Sequence, residues 1–205
     1  MTHLCLIRHA RSTWNADGRV QGQADPPLDD VGRAQAHALG KHLRHETFDA
    51  LYCSPLARAR ETATIATGHM AAPPVIQFDD RLKERDFGEW TGLTGSEVDA
   101  AVALHPDQDW RLMGPPGGEA RGQIVARAEA VFSEIIAAHL DQKIAVVSHG
   151  GLLAAYMGYL LGVPLEKQTY FSFHNTALAR VRIEPERLTL LSLNDDRHLE
   201  SVKVT

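Results

Sequence analysis

An arginine and a histidine stand side by side at Arg8-His9, directly after the apolar run 4–7, with small Ala10 and polar Arg11, Ser12, Thr13 and Asn15 following. Alternating β-favouring residues that stop at such a pair read as a strand ending in a reactive loop. In an open α/β sheet ligands bind at the carboxyl ends of the strands, so a cation and an imidazole there are placed to meet an anion. A second apolar run, 143–148, ends the same way at His149, with Gly150 and Gly151 next. Arg58 falls early in a predicted helix, where the macrodipole favours anions. A phosphate held between the helix N-terminus and the guanidinium would account for it, as would a surface pairing with Glu61. Arg8, Arg58, His9 and His149 together make a set of donors suited to phosphate oxygens. Eight other histidines, His3, His37, His42, His45, His69, His105, His139 and His198, are read as structural.

Strands and helices must alternate to hold such a set. After the opening strand, the Gly- and Pro-rich stretch 17–28 reads as a loop folding over the strand end. Asp29 or Asp30 caps a helix over 32–45, with Ala36, Leu39 and Leu43 on one face. A strand at 48–53 follows, and Ser54-Pro55 reads as the N-cap and first position of a helix over 56–68. Pro73-Pro74 breaks the chain before a strand at 75–78, and 79–92 is a loop dense in acids: Asp79, Asp80, Glu84, Asp86 and Glu89. A helix over 96–105 and an irregular stretch 106–119 lead to a helix over 123–140, whose apolar stripe reads as core without chemistry. After the strand 143–148 comes a helix over 152–161, so His149 lies near a helix N-terminus. The segments 169–173, 176–183 and 188–193 read as edge strands, a surface on which two chains could pair as a homodimer. The alternation predicts an α/β fold, a three-layer α/β/α sandwich with a mostly parallel central sheet.

Composition narrows the classes. The chain has 205 residues, suited to a single domain over 1–205, and a formal charge of −5 with no Lys/Arg run, so nucleic acid is not an expected partner. No apolar stretch approaches a membrane span and no leader pattern opens the chain, giving a cytoplasmic expectation and no membrane partner. Cys5 and Cys53 lie in strand-like runs, as buried reduced thiols that would touch if their strands paired.

The residues carry a family resemblance. L-I-R-H-A-R-S-T-W-N at 6–15 resembles the R-H-G-E-T-x-W-N signature of the histidine phosphatase superfamily, phosphoglycerate mutase-like branch. Further matches run in order: R-V-Q-G at 19–22, with the D-x-P-L-like 25–28 and Gly32; S-P-L-A-R-A-R-E-T-A at 54–63; L-K-E-R-D-F-G-E-W-T-G at 82–92; P-G-G-E at 116–119; and V-S-H-G-G at 147–151. The resemblance implies a phosphoglycerate mutase-like fold with residues 79–120 as a cap-like insertion over the site. It implies a phosphatase for small phosphomonoesters, with His9 as a nucleophile forming phosphohistidine. Arg8, Arg58 and His149 would hold the phosphoryl oxygens, and Ser12 and Asn15 would add hydrogen bonds. Glu84 would be the general acid and then base, with other acids of its loop as neighbours. Gln21, Gly22 and Gly150 would line the substrate site. Neither metal nor organic cofactor is implied, because arginines take the metal's place.

Four positions depart from the family pattern: Ala10 for Gly, Arg11 for an acid, Asp29 for Thr and Ala120 for Ser. Ala10 would strain the backbone if that position needs φ > 0. Arg11 would make the mouth more basic, favouring a second anionic group on the substrate. Asp29 keeps an N-cap. Two other readings stay open. Mutase chemistry would need a second phosphate grip, for which the stretch after Glu84 offers Arg85 and Arg111; an inactive phosphometabolite-binding module would rest on Ala10. Metal binding by the 11 histidines lacks any H-x-x-x-H spacing.

Overall fold

The computed structural model describes residues 1–167, 171–200 and 202. Its six strands are β1 (Thr2–Arg8), β2 (Ala50–Cys53), β3 (Ile76–Phe78), β4 (Lys143–Ser148), β5 (Leu178–Glu184) and β6 (Arg187–Asp195). They form one sheet in the order β3-β2-β4-β1-β5-β6. The first four run parallel, and β5 and β6 extend the sheet antiparallel.

The helices are α1 (Thr13–Ala16), α2 (Asp30–Leu43), α3 (Ala57–Thr67), α4 (Gly95–Ala103), α5 (Trp110–Met113), α6 (Arg121–Ala138) and α7 (Gly150–Leu160). Strand alternation sends successive side chains to opposite faces. Leu4 and Leu6 of β1 join Ile144 and Val146 of β4 under α6 and α7, where Phe132 stacks on Tyr156 with ring centroids 3.8 Å apart. Cys5 and Ile7, with Ala145 and Val147, face α2 and α3 through Leu39, Leu43, Ala59 and Ala63. Helices thus cover both faces of a mostly parallel sheet, the expected three-layer α/β/α arrangement.

Local details depart from the sequence reading. β4 lies between β1 and β2, so Cys5 and Cys53 do not face each other across a strand pair; both are buried free thiols, and burial pushes both thiols up. The N-cap of α3 is Leu56, without a side-chain cap, rather than Ser54; Asp25 Oδ1 instead accepts from Ala57 N at 2.6 Å. A short helix, α5, interrupts the stretch read as irregular. Of the expected strand 169–173, Thr169 and Tyr170 lie outside the described residues, and 171–173 is not strand. Among the described residues no helix is long and apolar enough to cross a membrane.

Candidate active site

The chain leaves β1 for the far side of β4 and returns to insert β4 beside β1, so connections diverge at their carboxyl ends, where open α/β sheets place ligands. The register sets Arg8 opposite Ser148, so the next residue on each strand is a histidine. The rings of His9 and His149 lie 5.0 Å apart between centroids, and both are buried.

His9 Nδ1 sits 2.7 Å from Ala10 O, which assigns the proton to Nδ1 and leaves Nε2 with the lone pair, which accepts from Arg58 Nε–H at 3.3 Å. Burial, with Arg8 and Arg58 beside it, holds its pKa well below the ordinary histidine value. It is a neutral imidazole at pH 7. Ala10 N donates to Thr62 Oγ1 at 2.9 Å, whose hydroxyl donates to Arg58 O at 2.6 Å. Ala10 is not among the described non-glycine residues with positive φ, so the anticipated strain is absent.

Arg58 is wholly buried; Nη1 donates to Ala24 O at 2.7 Å and Nη2 to Gly22 O at 2.8 Å. Burial lowers its pKa to about 10, leaving it a cation at neutral pH. Gly22 adopts φ +51°, and a Cβ there would press on Thr91 and Phe87, so the 17–28 loop needs glycine at this point. Arg8 Nη1 donates to Phe173 O at 2.5 Å, while its buried Nε has no partner among the described residues. His149 Nε2 lies 2.7 Å from Ser54 Oγ, and its Nδ1 is likewise buried and unpaired.

Glu84 reaches the site because Leu82 is buried in the core and Ser148 Oγ donates to Leu82 O at 2.8 Å. Its carboxylate is held by backbone N–H groups, the first being Arg85 N, which donates to Oε1 at 2.7 Å. Oε2 accepts from Gly151 N at 3.0 Å and Oε1 from Leu152 N at 3.1 Å, at the N-terminus of α7. A Cβ on Gly151 would lie 2.4 Å from Glu84 Oε1, whereas one on Gly150 would meet Arg8 Nε at an ordinary 3.5 Å.

Ser12 and Asn15 form the capping box of α1: Ser12 Oγ accepts from Asn15 N at 3.1 Å and donates to buried Gln21 Oε1 at 2.7 Å. Arg11 is not aimed at the mouth. Its Nε donates to Asp29 Oδ2 at 2.7 Å, while Asp29 Oδ1 caps Gly32 N at 2.6 Å. Two departures from the family pattern thus neutralise one another, and the expected extra positive charge at the mouth is withdrawn.

Sequence reasoning missed Ser54, Thr62 and Arg127 as supports, although the first two lie inside the quoted 54–63 motif. Arg127 grips Glu119 with Nε to Oε1 at 2.8 Å and Nη2 to Oε2 at 2.7 Å, and donates Nη1 to Arg81 O and Lys83 O. A cavity of about 210 Å³ borders Gly151, lined by Arg85, Arg111 and Arg121 and by apolar groups that include Phe87, Ile124, Ala155 and Tyr159. Arg121 joins the two arginines read from the sequence. Among the described residues, no three His, Cys, Asp or Glu side chains are grouped to hold a metal ion.

Residues 4–196 match the model of the histidine phosphatase superfamily (branch 1). Phosphoserine phosphatase 1 of Hydrogenobacter thermophilus is 35% identical over 205 residues, covering 97% of this chain and 95% of that protein. Glucosyl-3-phosphoglycerate phosphatase of Mycolicibacterium vanbaalenii is 37% identical over 175 residues, covering 80% and 76%. The solved structure of Bacillus stearothermophilus YhfR superposes with a TM-score of 0.86 at 30% identity, covering 98% of this chain and all of that one. With the match spanning nearly the whole chain, the protein belongs to the histidine phosphatase superfamily, branch 1, and is a phosphoric monoester hydrolase.

Proposed function

We propose that the protein hydrolyses small phosphomonoesters in two steps through a phosphohistidine on His9, with no metal taking part. The observation that carries this reading is that the Nδ1 bond to Ala10 O puts the His9 lone pair on Nε2, which among the described residues accepts only the long 3.3 Å bond from Arg58 Nε and lies beside Arg8 and the His149 ring. In the first step Nε2 attacks phosphorus, the P–O ester bond breaks, and protonated Glu84 gives its proton to the leaving oxygen. In the second, Glu84 takes a proton from water, the water oxygen attacks phosphorus, and the N–P bond breaks to release phosphate. Arg8, Arg58 and His149 meet the charge on the equatorial oxygens throughout, the larger part of catalysis in phosphoryl transfer.

Residues 79–120 serve as the cap, since they supply Glu84 and meet the 17–28 loop through Val20 N to Leu93 O and Gly92 N to Val20 O, both 2.8 Å. The leaving group lies in the cavity beside Gly151, whose apolar and arginine lining suits a small substrate with an apolar body and a second anionic group. Phosphoserine and glucosyl-3-phosphoglycerate, named for the relatives' phosphatases, both carry a carboxylate, and they head the panel to be assayed.

The test is to quench turnover of a ³²P-labelled ester in base and look for protein-bound phosphate that is base-stable and acid-labile. The wild type traps it and His9→Ala does not; label retained by His9→Ala, or none in an actively turning-over wild type, overturns the phosphohistidine.

A further inference from the structure

We propose that Ser54 is a positioning residue: its hydroxyl donates to Nε2 of His149 and so fixes the tautomer whose Nδ1–H is the donor offered to the phosphoryl group. The inference rests on the reading of His9 as nucleophile and assigns a task to a residue that reading leaves unused.

The argument is one of protons. His149 is wholly buried beside Arg58, His9 and Arg8, and burial first, with the Arg58 and Arg8 cations, keeps its imidazole neutral at pH 7. A neutral imidazole carries one N–H and one lone pair, and its neighbours decide which nitrogen has which. Ser54 is also wholly buried, and its Oγ already accepts from Leu56 N at 3.3 Å. Its single proton therefore needs an acceptor, because a buried hydroxyl left unpaired is costly. Among the described residues that acceptor is His149 Nε2, at 2.7 Å. The proton on His149 then sits on Nδ1, the atom that is buried without a partner. The opposite tautomer would strand the Ser54 proton and turn a lone pair toward an incoming anion.

The two histidines are thus made unlike by their neighbours. Ala10 O accepts from Nδ1–H of His9 and so keeps its lone pair on Nε2; Ser54 donates to the Nε2 lone pair of His149 and leaves Nδ1–H as a donor. The strand end at Cys53 sets this up, since Ser54 N donates to Val147 O at 2.9 Å and so holds Ser54 alongside the β4 terminus that carries His149.

The experiment reads tautomers directly, by long-range ¹H–¹⁵N correlation on the full-length ¹⁵N-labelled protein at pH 7.5, with His149→Gln for assignment. In the wild type, His149 should show protonated Nδ1 and bare Nε2. Ser54→Ala should shift it toward the Nε2–H form and lower kcat by about 10- to 100-fold with a smaller change in KM, the pattern of a lost transition-state donor. Ser54→Thr, which keeps the hydroxyl, should hold the wild-type tautomer and most of kcat. A wild-type spectrum with the proton on Nε2 overturns the proposal without need of any variant, as does an unchanged His149 signal in folded Ser54→Ala. Failure of the phosphohistidine trap in the wild type would instead remove the catalytic reading and leave the tautomer result standing.

Discussion

Two adjacent glycines after His149 carry different duties. Gly151 gives its N–H to Glu84 Oε2, and its missing Cβ is the space that Glu84 Oε1 fills; Gly150 only borders Arg8. Gly151→Ala would therefore push the carboxylate off its seat, while Gly150→Ala would add an ordinary contact. Proton delivery matters most for a poor leaving group. Gly151→Ala is expected to lower kcat/KM for an alkyl phosphate by about 100-fold and to spare an activated aryl phosphate. Gly150→Ala should stay close to wild type on both. Steady-state kinetics on the two esters checks this; an equal loss on both from Gly151→Ala would mean that Glu84 has no part in protonating the leaving group. At the same scale the alanine at residue 10 sits on unstrained backbone. Ala10 uses its N–H and carbonyl to fix Thr62 and His9 with no positive φ, which removes the sequence argument for an inactive binding module.

Helix α6 shows how an element can place a carboxylate that it does not itself carry. Its outer side holds Arg127, whose fork grips Glu119 and whose remaining donors hold the carbonyls of Arg81 and Lys83, with Glu84 O at 3.3 Å, so the segment leading to Glu84 is pinned to a rigid helix. Arg127→Ala would strand that carboxylate and three carbonyls in a half-buried setting and is expected to cost about 2 kcal/mol of stability. It should also lower kcat on alkyl phosphates by loosening Glu84. Urea unfolding together with kinetics measures both, and a double-mutant cycle with Glu119→Gln should show strong coupling; additive effects would mean that the two residues act separately. α6 was legible in the sequence as an apolar stripe with 3.6-residue periodicity, and β1 and β4 as runs ending at histidines, because those signals are local. Arg127 was not, because the carbonyls it holds lie 43 to 46 residues away along the chain. The insertion of β4 between β1 and β2, which separates Cys5 from Cys53, was invisible for the same reason. Arg11 misled because its charge was read without Asp29, 18 residues on.

Across the whole molecule, the preorganised pocket makes stability depend on pH. His9 and His149 are held neutral by burial and by nearby arginines, and burial lowers the pKa of the half-buried His198 to about 4. In the unfolded chain all three titrate near the ordinary value of about 6.5. A depressed folded pKa means that the unfolded state binds more protons as the medium is acidified, so the stabilising difference is fully present above pH ~6.5 and is lost as pH falls below it. Each wholly buried group contributes a slope of up to about 1.4 kcal/mol per pH unit in that window, and His198, more exposed to solvent, contributes less. The melting temperature should therefore fall steadily from pH 7 to pH 5. The anion pocket supplies a control, since inorganic phosphate binding only the folded state should raise the melting temperature with the logarithm of its concentration once that exceeds Kd. The decisive comparison is His9→Ala, which removes one of the buried neutral imidazoles. Its loss of stability between pH 7 and pH 5 should be shallower than that of the wild type by close to one proton, measured by thermal unfolding in phosphate-free buffers. Parallel curves for the two proteins would show that folded His9 takes up its proton in the ordinary histidine range, so that burial and the arginines do not hold it neutral.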